Sequence, residues 1–213
     1  MPVDLHSGIQ SAKLHSVNES ATLQPSRKVS TAHRITTCAQ RLTDQHGLDG
    51  FTMDDLATEA GVSRRTLFNY FPGKIDAVLG PAPDVDPDVV EVFRGRGPTG
   101  DLVEDIGVFI AHVLTVKGFD RDEAAVARRV IRSNPRLFAA AHDRFESVAD
   151  DFTELLLDRE GAEFGERRAR ILLSLIGCLH DLALDEVLAD PTGRRSLADA
   201  YVDALRATRD LLS

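Results

Sequence analysis

Residues 63–74 read Ser-Arg-Arg-Thr-Leu-Phe-Asn-Tyr-Phe-Pro-Gly-Lys, a short stretch that gathers cations, hydroxyls and rings in a chain of net charge −9. The donors it carries suit nucleic acid. Arg64 or Arg65 can pair in bidentate fashion with guanine, Asn69 with adenine, and the Thr66 methyl can touch thymine. The Ser63 and Tyr70 hydroxyls and the Lys74 ammonium suit phosphate oxygens. Leu67 and Phe71 lie four apart, so a helix here would turn one narrow apolar edge inward and leave the donors outward. The competing reading of the two arginines is ordinary solvated charge.

That helix needs a scaffold, and the preceding residues supply one. Ile35, Cys38, Ala39, Leu42 and His46 recur at helical spacing from Ser30 onward, and Gly47 ends the run. Thr52 is a good N-cap, with Asp55 placed to complete a capping box. Met53, Leu56, Ala57 and Ala60 then form the stripe of a second helix. Gly61 supplies the turn and Ser63 caps the third helix. Helix, glycine turn, helix is the helix-turn-helix arrangement. A fourth helix from Lys74 is cut short by Pro81 and Pro83. The expected organisation is a disordered tail over 1–29, a helix-turn-helix DNA-binding domain over 30–80 and a helical body over 81–213. Arg27 and Lys28 close the tail, as a basic arm or a solvated pair.

Charge agrees with this division. Residues 1–80 hold 8 Lys+Arg and 8 Asp+Glu, so the whole excess of −9 falls on the remainder. DNA would repel the body and accept the N-terminal part.

Residues 35–80 resemble the DNA-binding domain of TetR-family transcriptional regulators. The family run Val-Ser-x-x-Thr-Leu-Tyr-x-Tyr-Phe-x-x-Lys corresponds to Val62 through Lys74, and Phe51 to Ala57 is similar to the family's second-helix start. The resemblance implies an all-α protein, with a three-helix DNA-binding head and a C-terminal ligand-binding and dimerisation bundle. It implies double-stranded DNA as a partner, read as a palindromic operator by a homodimer, and a small-molecule effector. The DNA-contacting set it implies is Thr52, Ser63, Arg64, Arg65, Thr66, Asn69, Tyr70 and Lys74. Two departures stand out. Phe68 replaces a common Tyr, which removes a hydroxyl, and Arg65 stands where a small residue is usual.

In the body, helical patterns run over 101–117, 121–157 with a break at Asn134-Pro135, 165–189 and 195–212. The 165–189 segment is apolar nearly all round and must be covered on more than one side. A two-fold dimer through the last two helices would cover it, with Leu175, Leu179, Leu182, Tyr201 and Leu205 at the seam; a monomeric bundle core is the alternative. Gly177 would permit a close helix crossing, and His180-Asp181 a buried polar pair or a dimer rim. The middle helices carry Phe109, His112, Val113, Phe138, His142 and Phe145. These form a candidate wall for a mostly apolar ligand, with Arg128 a further polar group near it.

Other classes find little support. No Gly-rich phosphate loop with its Lys, no Cys pair at metal spacing and no His-x-x-x-His occurs, so neither enzyme chemistry, nor a metal, nor a cofactor is expected. Arg94 to Gly100 is Gly-rich but follows no strand, and reads as a loop. Cys38 and Cys178 are expected as free, buried thiols in a reducing cytoplasm. The apolar runs are too short for a membrane span. A helical partner-binding protein with a residual DNA head remains the rival reading.

Overall fold

The computed structural model describes residues 27–82, 85–116 and 119–212, and among them every regular element is helical. Four helices make the head: α1 (Arg27–His46), α2 (Met53–Glu59), α3 (Arg64–Tyr70) and α4 (Lys74–Leu79). Six make the body: α5 (Pro87–Arg94), α6 (Leu102–Val116), α7 (Arg121–Ser133), α8 (Pro135–Glu160), α9 (Glu166–Ala189) and α10 (Leu197–Leu212), with a 3-10 turn at Ala162–Phe164. α1 opens at Arg27, three residues before the apolar pattern begins. The rest of the expected tail lies outside the described residues.

Local chemistry sets the helix ends. The Thr52 hydroxyl accepts from the Asp55 amide at 3.1 Å, and the Thr52 amide donates to the Asp55 carboxylate at 2.8 Å. This closes the capping box, and hydrogen bonds from the Thr52 hydroxyl and amide hold the Asp55 carboxyl below its ordinary pKa. Asn134 caps α8 by accepting from the amides of Arg136 and Leu137, with Pro135 at the first helical position. Gly61 turns the chain between α2 and α3 at φ +62°, a conformation side chains resist.

The head core is built from Ile35, Ala39, Leu56, Leu67, Phe71 and Val78, all buried. Val130 of α7 and Leu137 of α8 pack into the same cluster, so the body completes the head's core. Polar links fasten the joint. Arg129 of α7 grips Asp44 of α1 with two hydrogen bonds, at 2.8 and 2.6 Å. Its guanidinium holds the Asp44 carboxyl below the usual range. Glu123 of α7 accepts from Thr37, and Arg144 of α8 donates to the Gly80 carbonyl. α4 is six residues long and α6 packs on α10 and α5. The body helices against the head are therefore α7 and the first part of α8.

α6 and α8 run antiparallel, because Asp105 pairs with Arg159 while Phe109 packs on Phe152. Phe93, Phe109 and Phe152 form one aromatic cluster, with centroids 5.1 to 5.6 Å apart. α10 lies on α6 and α9. A Cβ on Gly107 would stand 3.3 Å from Leu205, which shows how closely α6 and α10 approach. The Phe145 ring rests on Gly177, where a Cβ would stand 3.1 Å from it, so α8 and α9 do cross closely at that glycine.

Two expectations need correction here. Cys38 is buried, and burial raises its thiol pKa, but Cys178 is exposed on α9. Leu179, Tyr201 and Leu205 lie inside the chain's own core, Tyr201 at 0% exposure. The stripe that runs through Tyr201 and Leu205 faces α6 and α9, a long-range pairing that periodicity cannot assign. Among the described residues no helix is long and apolar enough to cross a membrane, and no cluster of three or more His, Cys, Asp or Glu is placed to hold a metal.

Candidate nucleic-acid interface

α3 is seven residues long and offers a small, well-defined donor face. Leu67 is fully buried beneath it and Phe71 closes its C-terminal end, so Arg64, Arg65, Phe68 and Asn69 must point outward. Ser63 caps α3 by accepting from the Thr66 amide at 3.0 Å, and the two hydroxyls lie 2.7 Å apart. That contact fixes the hydroxyl of Thr66, a half-buried residue. Tyr70 is half-buried with its ring tilted against Phe71, at 6.5 Å between centroids.

The two arginines differ in setting. Arg64 Nη1 donates to both oxygens of Asp54 on α2, at 2.8 and 2.6 Å, and its guanidinium lies over Phe68. Arg65 is exposed, with no hydrogen bond or ion pair recorded among the described residues. Sequence reasoning missed Asp54, and the available signal was a carboxylate just after the second helix's cap, opposite the start of α3.

Lys74 sits differently from its expected place on phosphate alone. Its ammonium donates to the carbonyls of Leu48 and Phe51, at 2.6 and 2.8 Å, and stands 5.0 Å from the Phe51 ring centre. Those bonds clamp the α1–α2 loop onto α4 and leave one of the three ammonium donors for another acceptor. Thr52 is likewise engaged in its own cap. Eight predicted contact residues thus fall into two groups: Arg64, Arg65, Thr66 and Asn69 face out from α3, while Thr52, Ser63, Tyr70 and Lys74 shape or border that face.

The residues expected to wall a ligand site are not gathered in one lining. Phe109 belongs to the aromatic core, and His112 and Val113 are half-buried on α6. Phe138, His142 and Phe145 are exposed along α8, Phe138 at 60%. Of the two rings, Phe145 still lies on Gly177 of α9, while Phe138 is the more exposed. Arg128 reaches α9 instead, pairing with Asp185 at 2.6 Å. His112 Nε2 and Thr153 Oγ1 are buried without a hydrogen-bond partner among the described residues. Of the expected dimer residues, Leu175 and Leu182 are exposed, at 37% and 48%. With Ile171 and Cys178 they form an outward apolar stripe on α9 at spacings of 4, 3 and 4. An open groove between α9 and α10 borders this stripe and is lined by Leu182, Ala207 and Leu211.

Comparison with known proteins agrees with the helix-turn-helix reading. Residues 35–76 match the sequence model of bacterial regulatory proteins of the tetR family. Over 140 residues the chain is 42% identical to a protein of Mycobacterium tuberculosis (strain ATCC 25618 / H37Rv), named as a candidate mycofactocin biosynthesis transcriptional regulator, MftR. That match spans 64% of this chain and 69% of the relative. The fold is similar to that of a crystallised candidate TetR-family transcriptional regulator from Mesorhizobium loti MAFF303099, at a TM-score of 0.51 and 20% identity. It covers 87% of this chain and 98% of that one.

Proposed function

Because this chain belongs to the TetR family of bacterial regulatory proteins, we propose that it represses transcription as a cytoplasmic homodimer on a palindromic operator and is released by a small effector. The observation that carries the DNA reading is the outward face of α3, where Arg64, Arg65 and Asn69 are exposed over a buried Leu67. Arginine reads guanine and asparagine reads adenine in the major groove, and each bidentate contact is worth about 1–3 kcal/mol of discrimination. Blocking a promoter requires only binding. The name of the Mycobacterium tuberculosis relative makes genes for mycofactocin biosynthesis the first candidates to test as targets.

Arg65→Ala and Arg64→Ala are each expected to weaken operator binding by about 5- to 150-fold, the range of one bidentate contact. Circular dichroism and the melting temperature should stay as in wild type, because both side chains are exposed. The measurement is a gel shift on fragments recovered by genome-wide binding. Wild-type affinity in both variants would rule out α3 as the reading helix.

The effector reading rests on different residues. Among the described residues His112 Nε2 on α6 and Thr153 Oγ1 on α8 have no partner, and a buried polar atom left so costs about 1–3 kcal/mol unless a ligand or water meets it. Phe138 and Phe145 add apolar surface further along α8. A mostly apolar molecule with one or two polar groups fits that chemistry. Leu137 of α8 is part of the head's core, so a shift of α8 reaches the DNA face. A coupling of about 1–3 kcal/mol suffices for a useful switch. Ala141→Phe, at a half-buried position on the same helix, is expected to abolish effector release measured by gel shift while operator affinity without effector stays unchanged. An unaltered response would remove α8 from the site.

A further inference from the structure

The pairing of Arg64 with Asp54 uses only one of the guanidinium's nitrogens. Nη1 donates to both carboxylate oxygens, at 2.8 and 2.6 Å, and the guanidinium carbon lies 5.4 Å from the centre of the Phe68 ring. Arginine has five N–H donors in a rigid fork. Two belong to Nη1. The three on Nη2 and Nε have no acceptor recorded among the described residues. The Nη2–Nε edge carries two parallel N–H groups, the arrangement that meets guanine O6 and N7 side by side.

Both partners are well exposed, at 64% for Arg64 and 59% for Asp54. An exposed ion pair adds little to stability. The carboxylate also stands on the α2–α3 side, where DNA phosphates would approach, and an unneutralised negative charge there opposes binding. A carboxylate of small structural value in that place calls for another role. Held by Asp54 on one side and Phe68 beneath, Arg64 loses rotamer freedom before DNA arrives, which lowers the ordering cost of its base contact.

We infer that Asp54 is a positioning residue which, with Phe68 as platform, fixes Arg64 so that its Nη2–Nε edge reads one guanine in each half-site. This rests on the DNA-reading function proposed above and adds which base-reading side chain is preset, and by what. Phe68 then has a use that a tyrosine would not improve, since the ring face alone supports the guanidinium.

The test is selection of bound duplexes from a random pool by the full-length protein, run for wild type, Arg64→Ala, Asp54→Ala and Asp54→Asn. Wild type should return a motif with a guanine at one position per half-site. Arg64→Ala should lose the preference at that position alone. Asp54→Ala should lose preference at the same position by about 5- to 20-fold, a large part of one bidentate contact, with the other positions and the melting temperature unchanged. Asp54→Asn, which keeps an acceptor but no charge, should fall between. An Asp54→Ala motif identical to wild type overturns the inference. So does a loss at a different base pair, which would make Asp54 a reader itself, or a uniform gain for all duplexes, which would make it a repulsive charge only. If wild type itself selects no motif, the underlying DNA reading fails, a result distinct from any of these.

Discussion

Asp105→Ala is expected to destabilise the folded body by about 3–5 kcal/mol, the usual result of removing one partner from a buried ion pair. Asp105 and Arg159 are both at 0% side-chain exposure, with Nη2 to Oδ2 at 2.6 Å. Both groups are further engaged. Asp105 also accepts from the Thr99 amide and hydroxyl, both at 2.7 Å, and from the Gly100 amide at 3.2 Å. Arg159 donates to the Phe93 carbonyl at 2.7 Å and to Glu160 at 2.8 Å, and its guanidinium lies 4.7 Å from the Phe93 ring centre. The pair therefore pins the 95–100 loop, the end of α5, α6 and α8 together. Arg159→Met should cost as much, since it leaves the buried Asp105 carboxylate without its counter-charge. The double replacement should cost less than the sum, because no lone charge stays buried, but more than zero, because the loop amides still lose their acceptor. Urea denaturation of the four proteins completes the cycle. Additive losses would mean the two side chains do not interact.

The same pair gives stability a direction with pH. Burial by itself would raise the Asp105 carboxyl, but the Thr99 hydroxyl and amide and the Arg159 guanidinium outweigh it and hold it below its ordinary value. A folded pKa below the unfolded value means that the folded state binds fewer protons. The contribution is fully present above about pH 4, where an unfolded aspartate is already charged. It is lost as pH falls through the lowered folded value. Wild type should lose stability more steeply than Asp105→Asn over that acid range, because the amide has no proton to take up.

Arg159 also shows how far the sequence could be read. Phe152, Leu155, Leu156 and Arg159 share one helical face, and an arginine at the end of a buried stripe was a legible sign of a partner in the core. Which acid it met, 54 residues away, was not legible. Local features carried well. Thr52, Ser63 and Asn134-Pro135 cap helices as their types require, and Leu67 and Phe71 turn inward at their i, i+4 spacing. Features set by long-range packing did not carry. Lys74 reads as a free cation, but backbone carbonyls from 23 and 26 residues away capture its ammonium. Phe138, His142 and Phe145 share a stripe with real periodicity, yet periodicity cannot tell that Phe138 is left at 60% exposure while the Phe145 ring lies on Gly177 of α9. The α10 stripe through Tyr201 failed in the opposite sense, being inside where a seam was expected. An apolar helix such as α9 has two candidate faces, and only the positions of α10 and α8 decide which one remains open.

That open face leads to the remaining large effect. Leu175→Asp and Leu182→Asp are each expected to dissociate the homodimer proposed above and leave the monomer folded. Both side chains are exposed in the single chain, on a stripe with Ile171 and Cys178, and Leu211 of α10 stands at 85% exposure beside the same groove. A two-fold axis sets this patch against its own copy, so one substitution places two carboxylates in the seam, each unpaired. Burying them costs several kcal/mol. Leu205→Asp should behave differently. Leu205 is packed in the chain's own core, so that variant should unfold. Light scattering and circular dichroism together separate the two outcomes: folded monomer for Leu175→Asp and Leu182→Asp, loss of helix for Leu205→Asp. The DNA consequence follows from linkage. Two joined heads on a palindrome bind with an effective concentration that a lone head lacks, so a monomer should lose about 10²- to 10⁴-fold in operator affinity while each α3 remains intact. A wild-type protein that is monomeric at micromolar concentration, or a Leu182→Asp variant that keeps both the mass and the operator affinity of wild type, would show that the stripe is not the seam.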